Sequence, residues 1–324
     1  MSTPQSTPLS PLPSPSLHVV FGAGQIGQGL ARDLLARGLK VRVVRRSDGP
    51  APEGAERVQA DVRDPVQAAR AAQGAAVLHH CMNPSAYTGA AWEAEFPVMG
   101  EALIAAAVQT GARLVCLDNL YGYGVVDGPR TEQSPMAATG RKGRVRVAWD
   151  ARLRRAAADQ GLRWVAGRAG DFFGPGTGDQ SMLAPKLLAD KGGPWLLADP
   201  DAPHAFSYVP DVVAGLAALG TAPDDVEGRA WHLPVMTVAP RDLVGRIAAA
   251  RGRPARFHRL PGWVRAMVAP FVPLMRELGE TWYQWDRPFL VDDGPFRARF
   301  PGVGATVDQA VAATAAEVEA LAAG

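Results

Sequence analysis

Three glycines stand at the spacing G-x-G-x-x-G, namely Gly22, Gly24 and Gly27. They follow an apolar, β-branched segment at residues 17–21, and leucines at helical spacing follow them at residues 30–35. Strand, glycine turn and helix in this order leave backbone N–H groups free at a helix N-terminus, where they bind phosphate. The stretch therefore predicts a dinucleotide site that includes Gln25 and Ile26 of the turn. The alternative is an ordinary connection between a strand and a helix.

The end of the second predicted strand, residues 40–44, indicates which dinucleotide. An acidic residue at this place usually accepts hydrogen bonds from the ribose 2′-hydroxyl, but the chain has Arg45 and Arg46 there. Guanidinium groups cannot accept those bonds, whereas they match a 2′-phosphate in charge and in fork geometry. We therefore predict NADP as the cofactor, with a solvated strand end as the alternative.

The remaining elements continue the same alternation. Strands are predicted at residues 57–60, 75–80, 113–117 and 162–165, and helices at residues 65–73, 92–110 and 143–160. This order predicts right-handed βαβ units and a doubly wound, Rossmann-type α/β fold with a parallel sheet. Beyond about residue 176 the regular alternation stops, and the remainder of the chain is predicted to be mostly helical.

Composition excludes several classes of protein. The 324 residues are 47% hydrophobic and 20% charged, as in ordinary globular enzymes. A net charge of +2 argues against nucleic acid or a membrane as partner. The two cysteines, Cys81 and Cys116, are too few for a disulfide framework and lack metal-ligand spacing, so a reducing cytoplasm and no metal are expected.

Neither the N-terminal segment nor the most apolar later stretch predicts a membrane segment. Residues 1–16 are rich in Pro, Ser and Thr and predict a disordered tail rather than a signal peptide. The most apolar later stretch, residues 263–275, is interrupted by Arg265, Pro270 and Pro273 and is too short to span a bilayer.

Taken in order, the motifs of residues 17–300 resemble the extended, or atypical, branch of the short-chain dehydrogenase/reductase superfamily. That branch includes nucleotide-sugar epimerases, dehydratases and related carbonyl reductases. The resemblance rests on Gly22-Ala-Gly-Gln-Ile-Gly27, Ala60-Asp61-Val62-Arg63-Asp64, Val77-Leu-His-His-Cys81, Leu117-Asp-Asn-Leu-Tyr-Gly-Tyr-Gly124, Gly167-Arg-Ala-Gly-Asp-Phe-Phe-Gly-Pro175, Phe206-Ser-Tyr-Val-Pro-Asp-Val212 and Phe289-Leu-Val-Asp292.

The resemblance implies a division of the chain and an assembly. Residues 17–170 with about 205–235 would form the NADP-binding domain. Residues 171–204 with 236–324 would form the substrate lobe. A homodimer is what the resemblance suggests.

The resemblance also implies roles for individual residues. Asp61 would accept a hydrogen bond from the adenine amino group while the Val62 backbone fixes the ring, and the alternative is an Asp61–Arg63 ion pair. Cys81 and Met82 would pass along the cofactor. The segment from Gly170 to Pro175 would border the nicotinamide, with Phe172 as a substrate contact.

The chain departs from the family where the chemistry occurs. The family uses a Tyr-x-x-x-Lys pair, in which Lys lowers the Tyr pKa so that the phenol can transfer a proton. Lysines occur only at positions 40, 142, 186 and 191, and none has a tyrosine four residues earlier. Spacing puts Thr139 and Gly143 at the two positions of the pair.

Other residues near this point could replace the pair. Asn119 can donate a hydrogen bond to a carbonyl oxygen but is no proton donor. Tyr121 or Tyr123 could supply the proton, with Lys142 or Arg141 stabilising the charge. Packing is the alternative for both tyrosines, and a ribose contact or a solvated loop are the alternatives for Lys142.

Further candidates have weaker support in the sequence. His79 and His80 are expected to be structural. Tyr87 and Trp92, after the fourth strand, are candidate substrate contacts, with a structural role equally open. The aromatic stretch at residues 263–285 belongs either to the core or to the roof of an apolar pocket.

These features support two functions. The first is an NADP-dependent oxidoreductase or epimerase-like enzyme that transfers hydride at a carbonyl or alcohol carbon of a small substrate. The apolar C-terminal lobe slightly favours an apolar or aromatic substrate. The alternative, prompted by the missing pair, is a non-catalytic NADP-binding sensor or scaffold.

Overall fold

The computed structural model describes residues 16–178 and 181–323. Its β-strands are Leu17–Phe21 (β1), Lys40–Arg45 (β2), Glu56–Gln59 (β3), Val77–His80 (β4), Arg113–Asn119 (β5), Trp164–Ala169 (β6), Asp171–Phe173 (β7), Trp195–Leu197 (β8), His204–Tyr208 (β9), Arg229–His232 (β10), Met236–Val238 (β11) and His258–Leu260 (β12). Its α-helices are Gln25–Ala36 (α1), Pro65–Ala72 (α2), Gly89–Thr110 (α3), Arg141–Gln160 (α4), Pro185–Ala189 (α5), Val209–Thr221 (α6), Pro240–Ala250 (α7), Gly262–Val268 (α8), Pro273–Leu278 (α9), Gly294–Arg299 (α10) and Val307–Ala323 (α11).

The central sheet has seven strands in the order β10-β6-β5-β4-β1-β2-β3, and every neighbouring pair is parallel. Successive residues of β1 bury opposite faces, so Val19 packs in the core under α2, α3 and α4, whereas Val20 packs under α1 and α6. Helices on both faces of a parallel sheet confirm the predicted doubly wound α/β fold.

A smaller part covers the carboxyl edge of this sheet. It contains the three-stranded sheet β11-β9-β7 and the strand pair β12-β8. A separate apolar core joins these strands to α7 and α11. The predicted division into domains stays a prediction, and the predicted tail lies outside the described residues apart from Ser16.

The sixth strand corrects the sequence prediction. We expected residues 162–165, but β6 runs from Trp164 to Ala169. The strand continues through Arg168, which is buried opposite Asp118 of β5 and paired with it at 3.1 Å. An apolar pattern cannot reveal a strand that extends through a buried charge.

Two findings concern the described residues as a whole. None of their helices combines the length and the apolar character needed to cross a membrane. No group of three or more His, Cys, Asp or Glu side chains among them could hold a metal ion.

Candidate active site

The first glycine of the motif occupies a position that only glycine tolerates. Gly22 has φ of +105°, and its N–H donates to the Val44 carbonyl at 3.0 Å. A Cβ on Gly22 would lie 2.8 Å from the Cys81 carbonyl oxygen and 2.8 Å from Cγ of Met82. The turn therefore packs against the end of β4, and this contact places Cys81 and Met82 beside the motif.

The other two glycines differ in what surrounds them. A Cβ on Gly27 would lie 1.8 Å from the Gly22 carbonyl oxygen, so the start of α1 packs directly on the turn. No atom of the described residues lies within 4 Å of a Cβ built on Gly24, so a ligand can reach its backbone. Ile26 is buried in the core, whereas Gln25 accepts a short hydrogen bond from the Gly178 N–H across the site.

Arg45 is the last residue of β2 and Arg46 is the first residue after it. Their side chains differ in exposure, since Arg45 is half-buried. Arg45 donates to the Pro50 carbonyl at 3.1 Å, and its guanidinium occupies the space beside Gly49. Arg46 is exposed, and its charge contributes to lowering the pKa of Asp61. The loop after β2 thus presents positive charge beside the predicted adenosine position.

Asp61 forms the ion pair that the sequence left open as the alternative. Its carboxylate accepts from the Arg63 guanidinium at 2.6 Å, and this hydrogen bond holds the pKa of Asp61 at about 2. The neighbouring Val62 side chain is buried in the core. The carboxylate therefore stays ionised at neutral pH, while its adenine contact remains a prediction.

A cavity of about 990 Å³ lies at the carboxyl edge of the sheet, under the smaller part of the chain. Its polar wall includes Gln25, Asn83, Tyr87, Asp118, Asn119, Tyr121, Arg146, Asp171, Ser181, Thr281 and Gln284. Its apolar wall includes Leu187, Trp195, Leu197, Leu260, Val264, Val268, Val272, Leu274, Met275, Leu278, Trp285 and Phe289. Met82, Trp92 and Phe172 of the predicted site also line it. The predicted roof at residues 263–285 thus supplies much of the apolar wall.

Tyr121 presents its phenol to this cavity. Its ring stacks on Trp92 at 5.8 Å, and its hydroxyl lies 3.2 Å from the Tyr87 hydroxyl. The Tyr87 hydroxyl in turn lies 3.4 Å from Oγ1 of Thr281. Burial raises the pKa of Tyr121 well above its ordinary value, and the charges of Tyr87 and Asp171 add to the shift. The phenol is therefore protonated at neutral pH, as a proton donor must be.

Asn119 is the last residue of β5, two residues before Tyr121. Its side-chain oxygen accepts from the Tyr121 N–H at 3.1 Å, which fixes the amide at the cavity wall. With the oxygen used in this way, the amide N–H₂ group is the part that can donate to a ligand.

Tyr123 corrects one sequence expectation, because it does not reach the cavity. Its ring is buried, and its hydroxyl contacts Nε2 of His232 at 2.7 Å and receives a hydrogen bond from Arg168 at 2.6 Å. These partners lie behind the cavity wall. We therefore withdraw Tyr123 as a proton donor and assign it to packing.

Lys142 corrects a second expectation. The side chain is fully buried, which excludes the solvated loop, and its ammonium contacts the Glu277 carboxylate at 2.5 Å. The ammonium also lies 4.7 Å from the centre of the Tyr87 ring. Since Lys142 does not line the cavity, it supports Tyr87 from behind and anchors α4 to α9.

We expect Lys142→Met to lower the free energy of unfolding by about 3 kcal/mol, because it leaves Glu277 as an unpaired, largely buried carboxylate. Urea unfolding followed by circular dichroism would measure the loss. Arg144→Met on the exposed side of α4 is the control, for which little change is expected. Unchanged stability together with lost turnover would return Lys142 to the catalytic candidates.

Arg146 is a site residue that the sequence reasoning missed. The side chain is 2% exposed, and it lines the cavity one helical turn after Lys142. Its guanidinium lies over the rings of Trp92 and Phe96 at 4.8 and 4.2 Å, and Nη2 donates to Asn83 at 3.3 Å. Nη1 lies 3.2 Å from Oδ1 of Asp118, and Nε has no hydrogen-bond partner among the described residues. The position of Arg146, three residues before the buried Trp149, is the one signal that could have separated it from the exposed arginines of α4.

Buried charges around Arg146 are balanced by carboxylates. Asp118 lies 3.2 Å from Arg146 and 3.1 Å from Arg168, and Arg168 also pairs with Asp150 at 2.7 Å. Burial lowers the pKa of Arg146, and Asp118 opposes that shift. The network keeps the guanidinium of Arg146 in place at the cavity wall, with Nη1 on Asp118 and Nη2 on Asn83.

Asp171 is a second acidic group that the sequence did not single out. Its carboxylate lines the cavity and contacts Nε2 of His204 at 3.0 Å, while Nδ1 of that ring faces the Gln284 carbonyl at 3.0 Å. Both ring nitrogens thus face oxygen acceptors, and this contact fixes the Asp171 carboxylate at the cavity wall.

The histidines of β4 are buried in the sheet and do not line the cavity. His79 contacts His18 at 3.0 Å, and burial lowers the pKa of both, that of His18 to about 4. His80 accepts from the Met82 N–H at 3.3 Å, and burial lowers its pKa to about 3. All three are neutral core residues.

The fold and the glycine turn define a Rossmann-type protein of the extended short-chain dehydrogenase/reductase class. The sequence profile of the NAD dependent epimerase/dehydratase family matches residues 18–233. The chain therefore belongs to that family. A sequence search of curated proteins finds no match.

Solved structures of similar fold include three relevant enzymes. UDP-glucuronic acid 4-epimerase from Bacillus cereus in complex with NAD has a TM-score of 0.75 at 14% identity, covering 94% of this chain and 99% of that one. The dTDP-glucose 4,6-dehydratase DesIV from Streptomyces venezuelae with NAD has 0.74 at 19%, covering 94% and 97%. UDP-glucose 4-epimerase from Thermus thermophilus with NAD has 0.71 at 24%, covering 94% and 99%.

Proposed function

We propose that this protein is an NADP(H)-dependent oxidoreductase that interconverts a carbonyl and an alcohol on a small, apolar substrate. The observation that carries the proposal is the cavity beside the glycine turn. There the Tyr121 phenol, the Asn119 amide and the Arg146 guanidinium line one wall of an otherwise apolar space. Such a space takes up an apolar molecule and presents its one polar group to these three side chains.

The residues of the glycine turn fit a dinucleotide. The open backbone at Gly24 and the start of α1 would hold its pyrophosphate. Cys81 and Met82 would lie along the dinucleotide, and Phe172 would border the nicotinamide ring. The Asp61 carboxylate would accept a hydrogen bond from the adenine amino group in addition to the one from Arg63. When bound, the nicotinamide accepts or supplies a hydride. The residues of the chain must then hold the substrate and move its proton.

Tyr121 is the proposed proton donor. An alkoxide that develops at the substrate is far more basic than a phenolate, so a phenol with a raised pKa still protonates it. The Tyr87 hydroxyl at 3.2 Å and the Thr281 hydroxyl beyond it can return a proton to Tyr121. Asp171 lies at the same wall of the cavity.

Arg146 and Asn119 are the proposed stabilisers of the developing negative charge. A guanidinium shielded from water stabilises an oxyanion more strongly than an exposed one would, because the local dielectric constant is low. Nε of Arg146, which has no hydrogen-bond partner among the described residues, is the nitrogen proposed to donate to that oxygen, while Nη1 stays paired with Asp118. The Asn119 amide adds a neutral donor.

The charges of the cavity favour an apolar substrate over a nucleotide sugar. Arg146 is the one cationic side chain in the wall of the cavity, within the described residues, and Asp118 already balances it. A diphosphate would add two negative charges beside Asp118 and Asp171. The second candidate, epimerisation of a nucleotide sugar, is supported by family membership and by the UDP- and dTDP-sugar enzymes of similar fold.

We expect the double variant Arg45→Ala, Arg46→Ala to lose its preference for NADPH over NADH. Removing two positive charges from the predicted 2′-phosphate position should weaken NADPH binding about tenfold or more, and NADH binding little. Fluorescence titration with each nucleotide would measure both constants. Arg57→Ala, an exposed arginine of β3 that pairs with Asp48, is the control. Unchanged selectivity in the double variant would contradict the assignment of NADP.

A turnover panel tests the function itself. NADPH consumption would be followed with apolar aromatic and aliphatic ketones and aldehydes. UDP- and dTDP-sugars would be incubated with the protein and oxidised cofactor and assayed by chromatography for an epimer or a keto-sugar, because an epimerase returns the hydride and consumes no cofactor. We expect NADPH consumption with an apolar carbonyl and no new product from the nucleotide sugars. Tight NADPH binding without turnover of any substrate would favour the sensor or scaffold.

A further inference from the structure

The two short helices that roof the cavity are apolar on both faces. We refer to residues 262–278, which contain α8 and α9, as the cap. Val264, Val268, Met275 and Leu278 of the cap line the cavity. On its outer side Trp263, Met267 and Phe271 are 68%, 59% and 85% exposed. A roof that faces only water would carry polar side chains outside, so the outer face is suited to an apolar environment.

The cavity opens through an apolar mouth next to the cap. Four residues both line the cavity and are between 39% and 55% exposed, namely Leu187, Trp195, Val272 and Leu274. They come from α5, β8 and the cap, so the rim joins three elements. A substrate that passes this rim meets apolar side chains from the outside to the floor of the cavity.

Positive charge is concentrated around the same surface. Residues 243–276 contain seven arginines and no acidic residue, although the whole chain has a net charge of only +2. Arg256 and Arg259 donate to the Lys191 and Ala198 carbonyl oxygens, beside Trp195 at the mouth. Arg276 is exposed on the cap itself.

Acidic groups near this surface are few and mostly engaged. Glu319 pairs with Arg251 and Arg253, and Asp308 lies 3.6 Å from Arg246. Glu277, the acidic residue of the cap, is directed inward to Lys142. Asp190, before the mouth, is exposed. The arginines closest to the mouth therefore keep their charge available for an anionic surface.

We propose that the cap and the mouth dock on the surface of an anionic lipid bilayer. Trp263, Met267 and Phe271 enter the interface between headgroups and acyl chains, and Arg256, Arg259 and Arg276 contact the anionic headgroups. The mouth then opens onto the acyl region, from which an apolar carbonyl or alcohol reaches the cavity. This last step alone rests on the proposed function, whereas docking is independent of it.

A second copy of the chain fits the surface less well than a bilayer. A symmetric dimer through the cap would place the arginines of one copy against the same arginines of the other. Juxtaposed like charges disfavour such a contact, whereas an anionic bilayer complements both the charge and the apolar side chains.

Vesicle co-sedimentation tests the docking surface without cofactor or substrate, so its outcome is separate from that of the turnover panel. The full chain would be mixed with vesicles of phosphatidylcholine alone, or of phosphatidylcholine and phosphatidylglycerol at three to one. We expect binding to the anionic vesicles, weaker binding to the neutral ones, and loss of binding as salt is raised.

Surface variants identify the residues that carry the binding. The triple variant Trp263→Ser, Met267→Ser, Phe271→Ser should bind anionic vesicles at least tenfold more weakly. Arg256→Gln, Arg276→Gln should bind about fivefold more weakly per removed charge. The matched control is Val66→Ser, Val125→Ser, which removes exposed apolar side chains elsewhere. Circular dichroism would establish that each variant is folded.

Three outcomes would overturn the proposal. The unaltered chain could fail to bind anionic vesicles in the sedimentation test, or the triple variant could bind them equally well. In the third outcome the chain does not bind vesicles but forms a concentration-dependent dimer in size-exclusion chromatography, and the triple variant abolishes that dimer; the surface would then belong to an interface with a second copy.

Discussion

Tyr121→Phe is expected to lower kcat for carbonyl reduction by about a hundredfold to ten-thousandfold, with little change in KM. The variant keeps the ring that stacks on Trp92 and removes only the hydroxyl that faces the cavity. General acid catalysis by a positioned side chain contributes rate enhancements of this order. Steady-state kinetics with NADPH and the best carbonyl substrate of the panel would measure the effect.

Tyr123→Phe is the matched control for this prediction. It removes the hydroxyl that contacts His232 and Arg168 behind the cavity, so it should lower stability and leave kcat nearly unchanged. The pH profile gives a second readout. Because burial raises the pKa of Tyr121, the reduction rate should not fall between neutral pH and the ordinary phenol pKa. Turnover that survives in Tyr121→Phe would exclude Tyr121 as the proton donor.

Arg146→Met is expected to lower kcat by about a hundredfold to a thousandfold, the cost of removing one preorganised oxyanion donor. The thioether side chain fills similar space between Trp92 and Phe96 but carries no charge. Asp118 keeps its pairing with Arg168 in this variant, so the network should not collapse. Arg146→Lys, which retains the charge without the fork, should recover part of the rate.

Arg152→Met on the exposed side of α4 is the control for Arg146. It breaks a surface ion pair with Glu101 and should change kcat little. If Arg146→Met lowered stability but left kcat and KM intact, Arg146 would be a structural residue rather than a stabiliser of charge. Thermal unfolding of both variants beside the kinetics separates the two outcomes.

The sequence was sufficient to predict the parts of the fold that depend on the geometry of neighbouring residues. The glycine spacing predicted the turn after β1, where Gly22 adopts a positive φ and a Cβ on Gly27 would clash with the Gly22 carbonyl. Alternating strands and helices predicted the parallel sheet. Both inferences use neighbours within about one βαβ unit, so no long-range contact is needed to make them.

The parts that were missed depend on contacts across the chain. Lys142 and Glu277 are 135 residues apart. Their pairing buries a lysine for which the sequence left a ribose contact and a solvated loop equally open. Only the position of Arg146 three residues before Trp149 separated it in the sequence from the exposed arginines of α4, and its contacts with Trp92 and Phe96 become visible in the fold. Asp171 and His204 meet because β7 and β9 are paired, and residue spacing in β7 gives no sign of this.

The net charge of the whole chain did not predict the local charge around the cap. A net charge of +2 suggested that the surface has no preference for anionic partners. Arg256, Arg259 and Arg276 nevertheless lie close to the mouth of the cavity or on the cap, whereas Glu319 and Asp308 pair with other arginines of residues 243–276. Local charge becomes visible only once the elements are placed.

The central claim is that the cavity beside the glycine turn carries out reduction of an apolar carbonyl with NADPH. Its most direct test mixes the protein with NADPH and an apolar aromatic ketone and measures NADPH consumption and alcohol formation together. We predict that one alcohol forms for each NADPH consumed and that NADH supports a much lower rate. NADPH that binds tightly yet is never consumed, with any apolar carbonyl, would contradict the account.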